Sequence, residues 1–107
     1  MDLKDYSREQ QEEIKKGLAN GLSIEQIKNY MDPNIRPEEM EIRRIGFEEG
    51  LKNVEIEHCV KLYWETKDYQ IIDNAMAGYN AGLTREQIEL CVDIEILPRE
   101  KTDGRYY

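Results

Sequence analysis

The stretch Gly17-Leu18-Ala19-Asn20-Gly21-Leu22-Ser23-Ile24-Glu25-Gln26-Ile27 decides the fold, because it returns 61 positions later as Gly78-Tyr79-Asn80-Ala81-Gly82-Leu83-Thr84-Arg85-Glu86-Gln87-Ile88. Extended to Ile14–Glu39 against Ala75–Glu100, the match needs no gap and keeps 10 of 26 residues identical. A middle copy starts at Gly46-Phe47-Glu48-Glu49-Gly50-Leu51, and Glu55-Ile56-Glu57-His58-Cys59 continues it if Lys52-Asn53-Val54 is an insertion. Periods of this length belong to supersecondary units that bury a core only when stacked.

Each unit is punctuated in the same way. Ser7-x-x-Gln10 is a capping box that opens a helix carrying Ile14 and Leu18, and Gly21 supplies the left-handed residue that stops it. Ser23-x-x-Gln26 then caps a short second helix with Ile24, Ile27 and Met31 on one face, and Asp32-Pro33 ends it. In the third copy Gly82 is the stop, Thr84-x-x-Gln87 the cap, and Ile88, Cys91 and Val92 the apolar stripe.

Between these lie a helix from about Pro37 to Glu49 and another that puts Ile56, Cys59, Val60 and Tyr63 on one face. A further helix over roughly 68–81 turns Ile71, Ile72, Ala75, Met76 and Tyr79 inward. No segment alternates like a strand. The expected product is all-α: about six helices as three stacked hairpins, over 7–31, 37–65 and 68–93, in one short helical-repeat domain with a loose tail over 98–107.

Composition narrows the function. A chain of 107 residues can bury roughly two-thirds of its unfolded surface without metals or disulfides. The net charge of -8 is shared evenly, with 12 acids and 8 bases in residues 1–50 and 11 and 7 in the rest. Without clustered Lys and Arg, direct binding to nucleic acid or an anionic membrane is disfavoured, and a protein partner with a basic surface is the electrostatic match. The start Met-Asp-Leu-Lys-Asp lacks a signal-peptide core and no apolar run reaches membrane-spanning length, so a cytoplasmic location is expected. Cys59 and Cys91 form no CxxC and suit a reducing compartment.

Catalytic chemistry finds little support. His58 and Cys59, adjacent on a helix, do not point at one metal ion, and no second histidine or phosphate loop is present. In the alignment with the insertion, His58 takes the capping position of Gln26 and Gln87 and is expected to be a partly exposed polar residue. No cofactor, metal or enzymatic activity is expected. A helix, a glycine turn and a second helix also describe a DNA-binding helix-turn-helix, but the second helices offer Lys28 against Glu25 and Asp32, and Arg85 against Glu86, Glu89, Asp93 and Glu95. Insertions in repeat proteins map to binding faces and Trp anchors interfaces, which points to Glu48, Glu49, Lys52, Trp64 and Glu65 as partner-binding residues. Core packing is the competing role for Trp64.

The run Glu12–Ile35, with Glu39-Met40 and Gly46–Leu51, also resembles a tandem repeat. Its pattern is (Gln-Met)-x-x-Ile-Arg-x-Gly-(Leu/Phe)-Glu-x-Gly-Leu-(Ser/Thr)-x-Glu-Gln-Val-x-x-Tyr-x-x-Pro, found in accessory proteins of phages and conjugative elements of Gram-positive gut bacteria. The resemblance covers roughly residues 10 to 92. It departs where Glu39 replaces Gln, where an extra residue shifts Ile42 out of the Ile-Arg register, and at the expected insertion. It implies a mobile-element setting, in which small acidic proteins block host nucleases, and so an anti-CRISPR-like inhibitor. The family supplies no catalytic residues.

Overall fold

The computed structural model describes residues 3–100, with side chains to residue 95. Six helices follow one another: α1 (Arg8–Ala19), α2 (Ile24–Tyr30), α3 (Pro37–Glu48), α4 (Asn53–Thr66), α5 (Tyr69–Asn80) and α6 (Arg85–Glu100). They form three helical hairpins, α1–α2, α3–α4 and α5–α6, and the described residues contain no strand. α3 packs on α1, α2 and α4, and α5 packs between α4 and α6. The described residues span 55 × 29 × 18 Å with a radius of gyration of 15.7 Å. A compact chain of this length has about 13 Å, so the hairpins are stacked in a row rather than bundled.

Two glycines make each hairpin. Gly21, Gly50 and Gly82 sit just past a first helix at φ of 91°, 81° and 91°, the left-handed region in which a Cβ is strained. Four residues earlier, Gly17, Gly46 and Gly78 leave no room for a side chain: a Cβ on Gly46 would lie 2.6 Å from Cγ1 of Ile56. Ile27, Ile56 and Ile88 press against these three glycines and are each 1% exposed.

The same landmarks show that the middle copy has no insertion. Each buried isoleucine lies ten residues after its glycine in all three hairpins. Lys52 therefore takes the N-cap place of Ser23 and Thr84, and Glu55 the place of Gln26 and Gln87. The amide of Lys52 donates to Glu55 Oε1 at 2.8 Å, as Ser23 does to Gln26 at 2.9 Å and Thr84 to Gln87 at 2.8 Å. Half of the capping box survives, since a lysine ammonium cannot accept from the helix. The expected insertion is a one-turn slip: on a helix Ile56 can stand for Ile24 or Ile27 without leaving its face. The real three-residue difference lies later, because α4 is seven residues longer than α2 while the link after it is four residues shorter.

The C-terminal boundary also moves. The loose tail expected from 98 begins no earlier than 101, because α6 continues past Asp93, the counterpart of Asp32, to Glu100. Asp32 ends α2 before Pro33, which pushes its preceding residue out of helical geometry; Asp93 precedes Ile94 and has no such stop. Residues 101–107 of the expected tail lie outside the described residues.

Apolar burial forms two clusters: Ile14, Ile27, Tyr30 and Met40 around the first hairpin, and a larger one from Ile42 to Val92 across the other two. Leu22 packs against both. Between the first two hairpins, ion pairs add to the apolar contact that Met40 of α3 makes with the first cluster. Arg44 of α3 donates to Glu13 of α1 at 2.8 Å and to Glu48 at 2.9 Å, and Arg43 reaches Glu39, Glu57 and Asn29. Burial opposes the charge on both arginines, and the hydrogen bonds they donate to their carboxylates outweigh it, raising both pKa values. Leu18, expected to be apolar packing, is 47% exposed because no earlier hairpin covers its face, whereas its counterparts Phe47 and Tyr79 are each 9% exposed.

Candidate functional site

Successive second helices do not close on one another, and a cleft is left between each pair. The first, between α2 and α4, encloses about 270 Å³ and the second, between α4 and α6, about 220 Å³. Their linings are repeat equivalents: Ser23 and Lys52, Glu25 and Val54, Gln26 and Glu55, Asn53 and Arg85, each cleft backed by the aromatic ring that ends a first helix, Phe47 or Tyr79. The hairpin geometry thus presents the same kind of hollow twice along one side of the stack, each with a carboxylate in its lining, Glu25 in the first and Glu55, one register position further on, in the second.

Deeper in, the two clefts are bridged differently. In the first, Arg43 of α3 donates to Asn29 of α2 at 3.2 Å and to Glu57 of α4 at 2.6 and 3.1 Å. Hydrogen bonding from Arg43 lowers the Glu57 pKa. In the second, Ala75 stands where Arg43 stood, His58 where Asn29 stood, and Glu89 where Glu57 stood. His58 is 1% exposed, which corrects the expectation of a partly exposed cap residue: the gapless register puts it one turn further along α4, facing α5 and α6. Its Nδ1 shares a hydrogen bond with the Tyr79 hydroxyl. Nε2 lies 3.2 Å from Glu89 Oε2, off the direction in which a ring nitrogen bonds, and is left unpartnered. Burial, then Arg85, lowers the His58 pKa against the pull of Glu89, so the ring is neutral at pH 7.

Past this pair the α4–α6 cleft opens into a further hollow of about 220 Å³. Leu62 and Val92 give it apolar walls, and Glu65, Glu89 and Asp93 give it carboxylates.

The residues singled out from sequence do not gather into one patch. Glu48 takes hydrogen bonds from Arg44 and, at 2.7 Å, from Asn20, and Glu49 takes one from Asn80 at 2.9 Å, so this acidic pair ties the middle hairpin to its two neighbours. Lys52 lines the second cleft and Glu65 the hollow at its far end. Trp64 is half-buried, donates to Glu39 at 3.0 Å and carries the Lys67 ammonium 4.1 Å from its ring. Twelve residues of helix place it about 18 Å from Lys52. The sequence reading did not single out Arg43, Arg44, Asn29 or the His58–Glu89 contact; the match of Gly46 to Gly17 puts Arg43 at the place of buried Ile14, the one signal that it faces inward.

Among the described residues no group of three or more His, Cys, Asp or Glu is arranged to hold a metal ion, and no helix is long and apolar enough to cross a membrane. Both cysteines are free thiols; Cys91 is exposed, and burial pushes that of Cys59 up to about 12. Comparison with protein-family models, curated proteins and solved structures finds no match for this chain.

Proposed function

We propose that this chain is a non-enzymatic protein–protein interaction module that holds its partner along the side formed by α2, α4 and α6. The observation that carries the reading is the pair of equivalent clefts, backed by Phe47 and Tyr79. Repeat stacks bind through surfaces that recur from unit to unit. With a net charge of -8 the favoured partner carries a basic surface. A nucleic-acid-binding defence protein, blocked by a mobile-element inhibitor of the anti-CRISPR kind, is the concrete form of this reading, drawn from the sequence resemblance.

Affinity capture tests it. Glu25→Arg with Asn53→Arg alters two exposed residues of the first cleft and should abolish capture of the partner retained by the wild-type chain, with the helical circular-dichroism signal unchanged. Asp73→Arg, outside both clefts, should leave capture intact. Capture that survives the cleft variant refutes the proposed face.

A helix-turn-helix regulator is the competing reading, because a four-residue turn joins α1 to α2. Its expected recognition helix, α2, spans only seven residues and has one basic residue, Lys28.

A further inference from the structure

We propose that the α4–α6 cleft is an acceptor site for an arginine side chain of the protein partner, an inference that rests on the interaction-module reading and names the chemistry of one contact. The chain contains its own template. Between α2 and α4 the guanidinium of Arg43 fills the gap, with Glu57 accepting two hydrogen bonds at 2.6 and 3.1 Å and Asn29 a third at 3.2 Å. One repeat later the carboxylate is kept as Glu89, but Ala75 removes the guanidinium.

What remains is a carboxylate that no cation reaches from the core side. Buried His58 leaves Nε2 unpartnered 3.2 Å from the Glu89 carboxylate. The hollow beside it adds Glu65 and Asp93, while Leu62 and Val92 offer apolar surface for the methylene stem of an incoming side chain. The cations already nearby are loosely engaged: Arg85 stands 3.5 Å from Glu89 and Lys61 4.0 Å from Glu65, all four side chains about half exposed. Exchanging either for a better-aligned group disturbs no buried contact.

Arginine fits better than lysine for a geometric reason. Its planar fork can bond Glu89 through two parallel N–H groups, as Arg43 bonds Glu57, and still present donors toward Asp93. Lysine offers one rotating point charge. The side chain would enter from solvent, past the exposed edge of Glu89, rather than from the core as Arg43 does.

Titration of the isotopically labelled chain with hexa-arginine and with hexa-lysine peptides, followed by amide and His58 ring resonances, tests this. Shifts confined to α4 and α6, including the His58 ring, are expected, with hexa-arginine binding several-fold more tightly than hexa-lysine and Glu89→Gln weakening it roughly tenfold. Asp93→Asn, on the exposed edge, should weaken it less and checks the site without touching His58. Shifts scattered over the acidic surface, equal affinity for the two peptides, or indifference to Glu89→Gln would overturn the arginine site. That failure would leave the module reading standing, because the latter is judged by partner capture through the first cleft.

Discussion

Arg44 Nε donates to Glu13 Oε1 at 2.8 Å, and this ion pair, with both side chains about nine-tenths buried, joins the first hairpin to the second. Breaking a buried pair leaves an uncompensated charge, whereas exchanging the whole cluster for apolar residues can be neutral. Arg44→Met is therefore expected to destabilise the chain by about 3 kcal/mol. Arg44→Met combined with Glu13→Leu should recover most of that loss in urea unfolding. Equal destabilisation by the single and double variants would show that the pair is not a closed unit.

The two glycine classes should respond differently to alanine. At Gly50 a Cβ meets nothing within 4 Å but sits on a left-handed backbone, so Gly50→Ala costs about 1 kcal/mol. At Gly46 the backbone is helical and the Cβ runs into Ile56, so the helix-propensity gain is overwhelmed by overpacking of about 1–3 kcal/mol. Because the clash is with Cγ1, Gly46→Ala with Ile56→Ala should lose less than the sum of the two single changes, while Gly50→Ala and Ile56→Ala should simply add. Thermal melts of the three single and two double variants check this.

How much of this was legible beforehand depends on what each residue does locally. Capping boxes and turn glycines act within a few residues, so the helices, the hairpins and the positive φ of Gly21, Gly50 and Gly82 follow from the sequence. The register of the middle copy did not, because Lys52 breaks the Ser/Thr signature and a one-turn slip preserves the apolar face. From that slip came both the assignment of His58 to a cap and the selection of an inserted loop as a binding site. Arg43 and Arg44 carry no local signal of their partners, because the facing carboxylates, 14 and 31 residues away, are brought to them only by stacking. The clefts are a property of the spacing between hairpins, which no single repeat encodes.

Acid should weaken the fold in a way that depends on His58. The folded pKa is depressed, so the contribution of the neutral ring is complete above the ordinary value of 6.5 and is lost as pH falls through the folded value. Glu57, held below its ordinary 4.5 by Arg43, adds a further loss at lower pH. Comparing urea unfolding at pH 7.5 and pH 5.5, the wild-type chain should lose stability and His58→Asn should lose clearly less, whatever its baseline. Equal pH dependence in both would remove His58 from the acid response.

Duplex DNA should not be shifted by this chain at physiological salt. Binding to phosphates requires clustered cations whose engagement releases counterions, and the most basic side chains of α3, Arg43 and Arg44, are committed to carboxylates inside the stack. Micromolar binding with a steep salt dependence in an electrophoretic assay would instead promote the helix-turn-helix reading.

The most direct measurement of the central claim is site-specific photo-crosslinking in cells, with a photoreactive amino acid at Asn53 in the first cleft, at Thr84 in the second, and at Asp73 outside both. One covalent adduct of the same mass is expected from Asn53 and Thr84, and none from Asp73. An adduct formed at Asp73 but at neither cleft position would contradict it.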